Sequence, residues 1–267
     1  MEINDLDGAD NDHALQRTRG GVQVTNTRPP VNGWWITIVF LCAGACAVLL
    51  PHIAQDESYH SFADQRTIWA IPNFWNVVSN LPFAILGVWG LWRLGGPTAR
   101  VLFTGLFLTS VGSAYYHLAP NDTRLVWDRL PMTLVFMSFL AAVIAEGRSP
   151  RWEVPILSLL LALGIASIWW WRTTGNLLPY LLVQFAPVIM MLPAFWRASG
   201  KRWLGYVAAL YAAAKIAEFY DPSIYSVLPL SGHTWKHLLG ASAGYCILRW
   251  FCDSSQTVTR PSGDNFI

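Results

Sequence analysis

Two short spacings in this sequence have the form of a metal site. Ser113 and His117 are four residues apart, Asp128 follows eleven residues later, and His233 and His237 are again four apart. Residues at i and i+4 share one face of a helix, which lets two imidazoles bind one metal ion. With His117 as third ligand, a zinc ion keeps its fourth position for water, the open arrangement of a catalytic site. Zinc lowers the pKa of such a water towards ~7. Asp128 is suited to accept its proton or orient it, and Ser113 to hydrogen-bond the water or a developing oxyanion. Each residue alone has a plainer reading. A single His at a membrane interface is commonly just hydrogen-bonded there, Asp128 beside Arg129 commonly an ion pair, and Ser113 a small residue for close helix contact.

What must position these residues is a set of membrane helices. Of 267 residues, 54% are hydrophobic and 13% charged, with a mean hydropathy of +0.35. A soluble domain carries about a quarter charged residues, so disorder, a coiled coil and an ordinary cytosolic domain are excluded. The net charge of +2 is small and scattered, which argues against nucleic acid as a partner. No protein partner is inferable either. Cys42, Cys46, Cys246 and Cys252 form neither a disulfide framework nor a C-x-x-C pair.

Eight apolar segments follow from interruptions by charge, Pro and Gly, at roughly 34–50, 74–94, 100–118, 126–145, 154–171, 177–196, 203–220 and 233–252. Each approaches the ~20 residues needed to cross a hydrocarbon core as a helix, and period-two alternation is absent. The expected fold is therefore all-α, a polytopic transmembrane bundle. Residues 1–33 read as a disordered polar tail, 51–73 as a non-cytoplasmic loop able to fold over one face, and 253–267 as a C-terminal tail. Eight crossings put Arg17, Arg19, Arg28, Arg93, Arg100, Arg148, Arg151, Arg197, Lys201, Arg202, Arg249 and Arg260 on one side, against Arg66, Arg124 and Arg172 on the other. That bias makes both termini cytoplasmic.

The same topology gathers the chemistry at one depth. His117 ends the third segment, Asp128 opens the fourth, Glu218 and Asp221 end the seventh, and His233 and His237 open the eighth. Asn73, Asn76, Ser79 and Asn80 open the second, so five helices bring polar groups towards the non-cytoplasmic face. Ionisable residues within a membrane are functional candidates by default. Glu218, Asp221, Arg129 and Lys236 are candidates for an outer layer, with Glu218 and Asp221 suited to anchor Lys215 or Lys236 or to orient a ligand histidine. His13, His52 and His60 read as solvated, Trp34–Trp35 and Trp169–Trp171 as interfacial aromatic belts, and Met190–Met191 as packing.

The motifs Asn73-Phe-Trp-Asn76-Val-Val-Ser79-Asn80-Leu-Pro82-Phe, Gly112-Ser113-Ala-Tyr-Tyr-His117, Trp127-Asp128-Arg-Leu-Pro131-Met132 and His233-Thr-Trp-Lys-His237 resemble those of the alkaline ceramidases. That family belongs to the superfamily of seven-helix membrane hydrolases that includes adiponectin-receptor-like proteins. The resemblance, over roughly 64–250, implies a seven-helix core at 74–252 with 34–50 as an extra N-terminal transmembrane helix. It also implies Zn²⁺ on His117, His233 and His237, with Asp128 and Ser113 at the metal-bound water. The activity implied is hydrolysis of the amide bond of ceramide or a related N-acyl lipid, giving a fatty acid and a long-chain amine, with membrane lipid as partner. The family's calcium site is not carried over in full. Asn73 stands where its motif has Glu, so Asp64 and Asn73 are the candidate Ca²⁺ positions. The extra helix and the Ile-Pro-Asn-Phe-Trp-Asn wording resemble bacterial members, which implies a bacterial inner membrane.

The rival from the same superfamily is a receptor-like, lipid-sensing protein with structural zinc and little turnover. The Ser113–Asp128 pair, which a structural site does not need, weighs against it. A haem-binding electron carrier fits poorly, because an i, i+4 pair cannot supply two opposed axial ligands. A transporter lacks the matching pair of broken helices.

Overall fold

A computed structural model describes residues 37–38, 41–42, 44–46, 49–146, 149–195 and 200–259, with side chains 192–195 and 255–259 left aside. Among the described residues there are α-helices and no strand, only two isolated bridges, Ala54 with Asn176 and Ile68 with Ile71. The helices are α1 (Phe74–Val78), α2 (Leu81–Arg93), α3 (Pro97–Leu118), α4 (Asp122–Ala145), α5 (Glu153–Thr174), α6 (Leu178–Phe195), α7 (Lys201–Phe219), α8 (Asp221–Tyr225) and α9 (Gly232–Thr259). They correspond closely to the apolar segments from 74 onward. The 34–50 segment lies largely outside the described residues, as do the N-terminal tail, His13 and Trp34–Trp35. α9 runs to Thr259, into the stretch expected as tail.

Among the described residues, three stretches are long and apolar enough to cross a membrane: Phe74–Arg93, Asp122–Ala145 and Pro150–Thr174. Outward faces carry large apolar side chains such as Ile85, Leu159 and Ile216. Such faces are costly in water and suit lipid.

Neighbouring helices pack in the order α2–α3–α4–α6–α7–α9, and α9 returns to α2. The ring surrounds a cavity, while α5 lies outside it against α4, α6 and α3. Leu102, Phe103, Leu106, Phe139, Val143, Leu204 and Leu248 form the main core. Met190 and Met191 are buried, as their reading as packing residues required.

α3 and α4 approach closely. Pro131, inside α4, has no N–H to give the carbonyl of Trp127 four residues earlier. That carbonyl lies against Gly112 so tightly that any Cβ there would overlap its oxygen. Gly112 thus brings α3 up to α4 where Ser113 and Asp128 meet. At the other junction, a Cβ on Gly232 would overlap the carbonyl of Ala217, so this glycine lets α9 start against α7.

Overpacking of this kind costs about 1–3 kcal/mol. Gly112→Ala is expected to lower the unfolding temperature in detergent and to separate Ser113 from Asp128, with a loss of turnover larger than the loss of folded protein. Unchanged melting and turnover would contradict the tight α3–α4 contact.

Candidate metal centre

His117 comes from the last turn of α3, and His233 and His237 from the first two turns of α9. Their ligand atoms all lie within 4.8 Å of one another, and among the described residues they are the group able to hold a metal ion. Ring centroids are 4.9 Å apart for His117–His233, 5.0 Å for His117–His237 and 4.9 Å for His233–His237. All three are buried, His117 completely. Neither ring nitrogen of His117 has a hydrogen-bond partner. Buried polar atoms are nearly always partnered, so a metal ion fits as the missing partner of one orphaned His117 nitrogen beside the two other imidazoles.

A hydrogen-bond chain orients the second ligand. Ser79 Oγ donates to the carbonyl of Asn76 at 3.3 Å and receives Nδ1–H of His237 at 2.8 Å. This assignment leaves Nε2 of His237 unprotonated and free to ligate. Asn76 is completely buried and its Oδ1 accepts from Thr234 Oγ1 at 2.9 Å, locking α1 to α9. Asp221 holds His233 through the backbone: its Oδ1 accepts from His233 N–H at 2.6 Å and its Oδ2 from Ala63 N–H at 2.9 Å. It therefore supports the position of His233 without touching its ring.

Asp128 and Ser113 are buried and interact through their side chains. Both line the central cavity together with His237. The cavity measures about 250 Å³, with Gln55, Tyr59, Arg129 and Lys236 at its polar end and Phe136, Phe139, Val188 and Ile247 deeper in. Glu218 accepts from Lys215 at 2.8 Å, from Lys236 at 2.5 Å and from Tyr59 at 3.2 Å, so it anchors the two lysines. Arg129 donates to Gln55 Oε1 at 2.6 Å.

The 51–73 segment folds over the site. Phe62 packs against His117 and His233, with centroid distances of 4.6 and 4.5 Å. Asp64 is bound by Arg66 at 2.8 and 2.6 Å, and Arg66 also donates to the carbonyl of Pro229 at 2.7 Å. Burial acts to raise the Asp64 carboxyl, but the Arg66 hydrogen bonds prevail and hold it below its ordinary value. Asn73 adopts a left-handed backbone with φ 48° and donates to the carbonyl of His117 at 2.8 Å, an orphan acceptor at the end of α3. Asp64 and Asn73 thus serve the loop and the α3 terminus respectively.

Two expectations are corrected here. His60 is not simply solvated: its ring contacts Tyr116 Oη at 2.8 Å and Asp122 at 3.1 Å. Of the Trp169–Trp171 run, Trp169 and Trp170 are exposed but Trp171 is buried against Arg129. A helix interface turns one of three successive residues inward. The sequence carries no signal for the roles of Ser79 and Asn76 at His237 and Thr234, nor for Gln55, Tyr59 and Phe62, because a loop's docking has no periodicity.

Fold and site together define a helical membrane protein with a buried three-histidine site compatible with a metal ion. A model of the Ceramidase family matches residues 33–214, and the chain belongs to that family, whose activity makes it a hydrolase of the ceramide amide bond. The matched stretch contains Ser113, His117 and Asp128, while His233 and His237 lie beyond it and join the site through α9. A search of curated protein sequences finds no match.

Residues that orient a metal ligand typically contribute 10–100-fold to affinity. Ser79→Ala is expected to weaken retention of a divalent metal ion by about that factor while leaving the helical content unchanged, measured by competition with a chromophoric chelator. Unchanged retention would remove Ser79 from the site.

Proposed function

We propose that the chain is a zinc-dependent intramembrane amidohydrolase that cleaves ceramide or a related N-acyl lipid. The observation that carries this reading is the buried, unpartnered His117 imidazole, set against His233 and His237 and beside a cavity lined by Ser113 and Asp128. When bound by His117, His233 and His237, zinc supplies Lewis acidity and lowers the pKa of water. Asp128 takes a proton from the attacking water and then delivers it to the departing amine. Ser113 donates a hydrogen bond to the oxygen on which negative charge develops. The water's oxygen ends in the fatty acid and its proton on the amine, so the two products balance the substrate plus one water. The apolar depth of the cavity receives an alkyl chain, and Phe62 with the rest of the 51–73 segment covers the ligands from the other side.

The basic-residue asymmetry supports a topology with both termini cytoplasmic and the metal centre towards the opposite face. The seven-helix core at 74–252 is preceded in this reading by a further crossing at 34–50, in a bacterial inner membrane. Calcium has no part in the reaction as proposed: the Asp64 carboxylate is bound by Arg66 and the Asn73 amide by the His117 carbonyl.

Variants separate ligand from base. His117→Ala and His237→Ala are expected to lose zinc and turnover together. Asp128→Asn is expected to keep its zinc and lose about 10²–10⁴-fold in turnover, the range for a general acid–base group. Zinc analysis and fatty-acid release on the same samples check both, and full activity in Asp128→Asn would remove the proton-transfer role.

A further inference from the structure

Residues 67–74 carry no charge and lead directly into the apolar stretch Phe74–Arg93. Within them Ile68 and Ile71 close a tight hairpin. Ile68 N–H donates to the Ile71 carbonyl at 3.2 Å, and Ile71 N–H to the Ile68 carbonyl at 3.0 Å. The two central residues, Trp69 and Ala70, are both left-handed, with φ 50° and 60°. A hairpin turn with positive φ at both central positions favours Asn-Gly or Asp-Gly, and a bulky residue there is a backbone outlier. This chain puts a tryptophan at the first of them and leaves it 83% exposed. Strained residues of this kind cluster where function holds them.

The indole is held in place and open on its outer side. Its ring meets the buried Phe74 edge-on, with centroids 5.5 Å apart. At the base of the hairpin, Arg66 pairs with Asp64 and donates to the Pro229 carbonyl at 2.7 Å. Tyr225 Oη also donates to Asp64, at 3.4 Å. The hairpin therefore stands beside the connection between α8 and α9, where Val227 and Leu228 are exposed. On its other side begins α2, whose exposed Leu81, Ile85, Val88 and Trp92 follow one another along one helical face. Because Asp64 neutralises Arg66, the apolar rim at the end of this lipid-facing stripe carries no net charge. Such a rim, tipped by an indole, suits the headgroup level of a bilayer, where amphipathic rings collect.

We propose that the Ile68–Ile71 hairpin is a membrane-surface anchor, in which Trp69 sits at the headgroup–acyl boundary of a phospholipid bilayer and pins the 51–73 segment over the three-histidine site. The first half of that segment is tied to protein. Gln55 and Tyr59 meet the buried Arg129, whose guanidinium is caged by the rings of Tyr59, Trp171 and Tyr180. Midway, Phe62 covers His117 and His233, and Ala63 is held by Asp221. The bilayer supports the end that projects from the protein. The anchor rests on the fold and not on the amidohydrolase reading.

The test begins with fluorine NMR of the full-length protein, labelled with fluorotryptophan, in phosphatidylcholine nanodiscs. The resonance missing from Trp69→Phe, and from Trp69→Tyr as a second assignment, belongs to Trp69. A lipid carrying a nitroxide near its carbonyl is expected to broaden that resonance about threefold more than a water-soluble gadolinium chelate does. Replacing a third of the lipid with phosphatidylglycerol should change nothing. Stronger broadening by the chelate would place the hairpin in water and overturn the anchor. Broadening by neither agent would place Trp69 against another protein chain and overturn it too, and contact only with anionic lipid would contradict the uncharged rim. Pinning is read from amide exchange in residues 56–71. In nanodiscs Trp69→Gln should exchange about fivefold faster than wild type and Trp69→Phe about as slowly as wild type. In amphipol, without a bilayer, wild type should itself exchange as fast as Trp69→Gln. Equal exchange of Trp69→Gln and wild type in nanodiscs would overturn the pinning. So would a Trp69→Gln effect of the same size in amphipol, which would assign it to the Phe74 contact alone.

Discussion

The rest of the structure is organised by the need to compensate polar groups buried in an apolar bundle. A buried donor or acceptor without a partner costs about 1–3 kcal/mol, and His117 alone carries two such nitrogens. Nearly every other polar group around it is satisfied: Ser79 by His237 and Asn76, Asp221 by His233 and Ala63, Glu218 by two lysines and Tyr59. A site that satisfies its surroundings and leaves three imidazoles facing one another is compatible with one metal ion taking one nitrogen from each ring.

Backbone geometry makes that concentration achievable. Gly112 and Gly232 admit carbonyl oxygens where any side chain would collide, which sets the α3–α4 and α7–α9 spacings. Asn73 closes the end of α3 by donating to the His117 carbonyl, and Asp221 restrains the start of α9. The loop from 51 to 73 then links the helix ends: Ile53 meets Asn176, Ala63 meets Asp221, and Arg66 reaches Pro229. His117 and His233, from two distant helices, are thus held through their backbone groups, independently of their rings. The opposite, deeper part of the cavity needs no such network, because Phe136, Phe139 and Val188 have nothing polar to satisfy.

The grouping of His117, His233 and His237 was legible because helical spacing and the position of each residue at a helix end are both encoded locally. His233 and His237 at i, i+4, and His117 at the end of an apolar run of the right length, carry their geometry in the sequence. The helices themselves were legible for the same reason, as apolar runs bounded by charge, Pro and Gly. What was not legible depends on rotation and docking. Trp171 points inward while Trp169 and Trp170 do not, a difference set by how α5 is turned against its neighbours. The Arg129 cage draws on α4, α5, α6 and the outer loop at once, and His60 finds Tyr116 only after that loop has docked. No window of sequence contains those relations.

The most direct measurement is zinc K-edge absorption spectroscopy on the purified, detergent-solubilised wild type, with metal content and fatty-acid release from N-acyl lipids determined on the same preparation. The expected result is about one zinc per chain, three imidazole nitrogens at roughly 2.0–2.1 Å with one further oxygen, and turnover that disappears and returns with removal and restoration of the metal. A folded, metal-replete preparation with no bound zinc, or with zinc on sulfur ligands and amide turnover indifferent to chelation, would contradict the account.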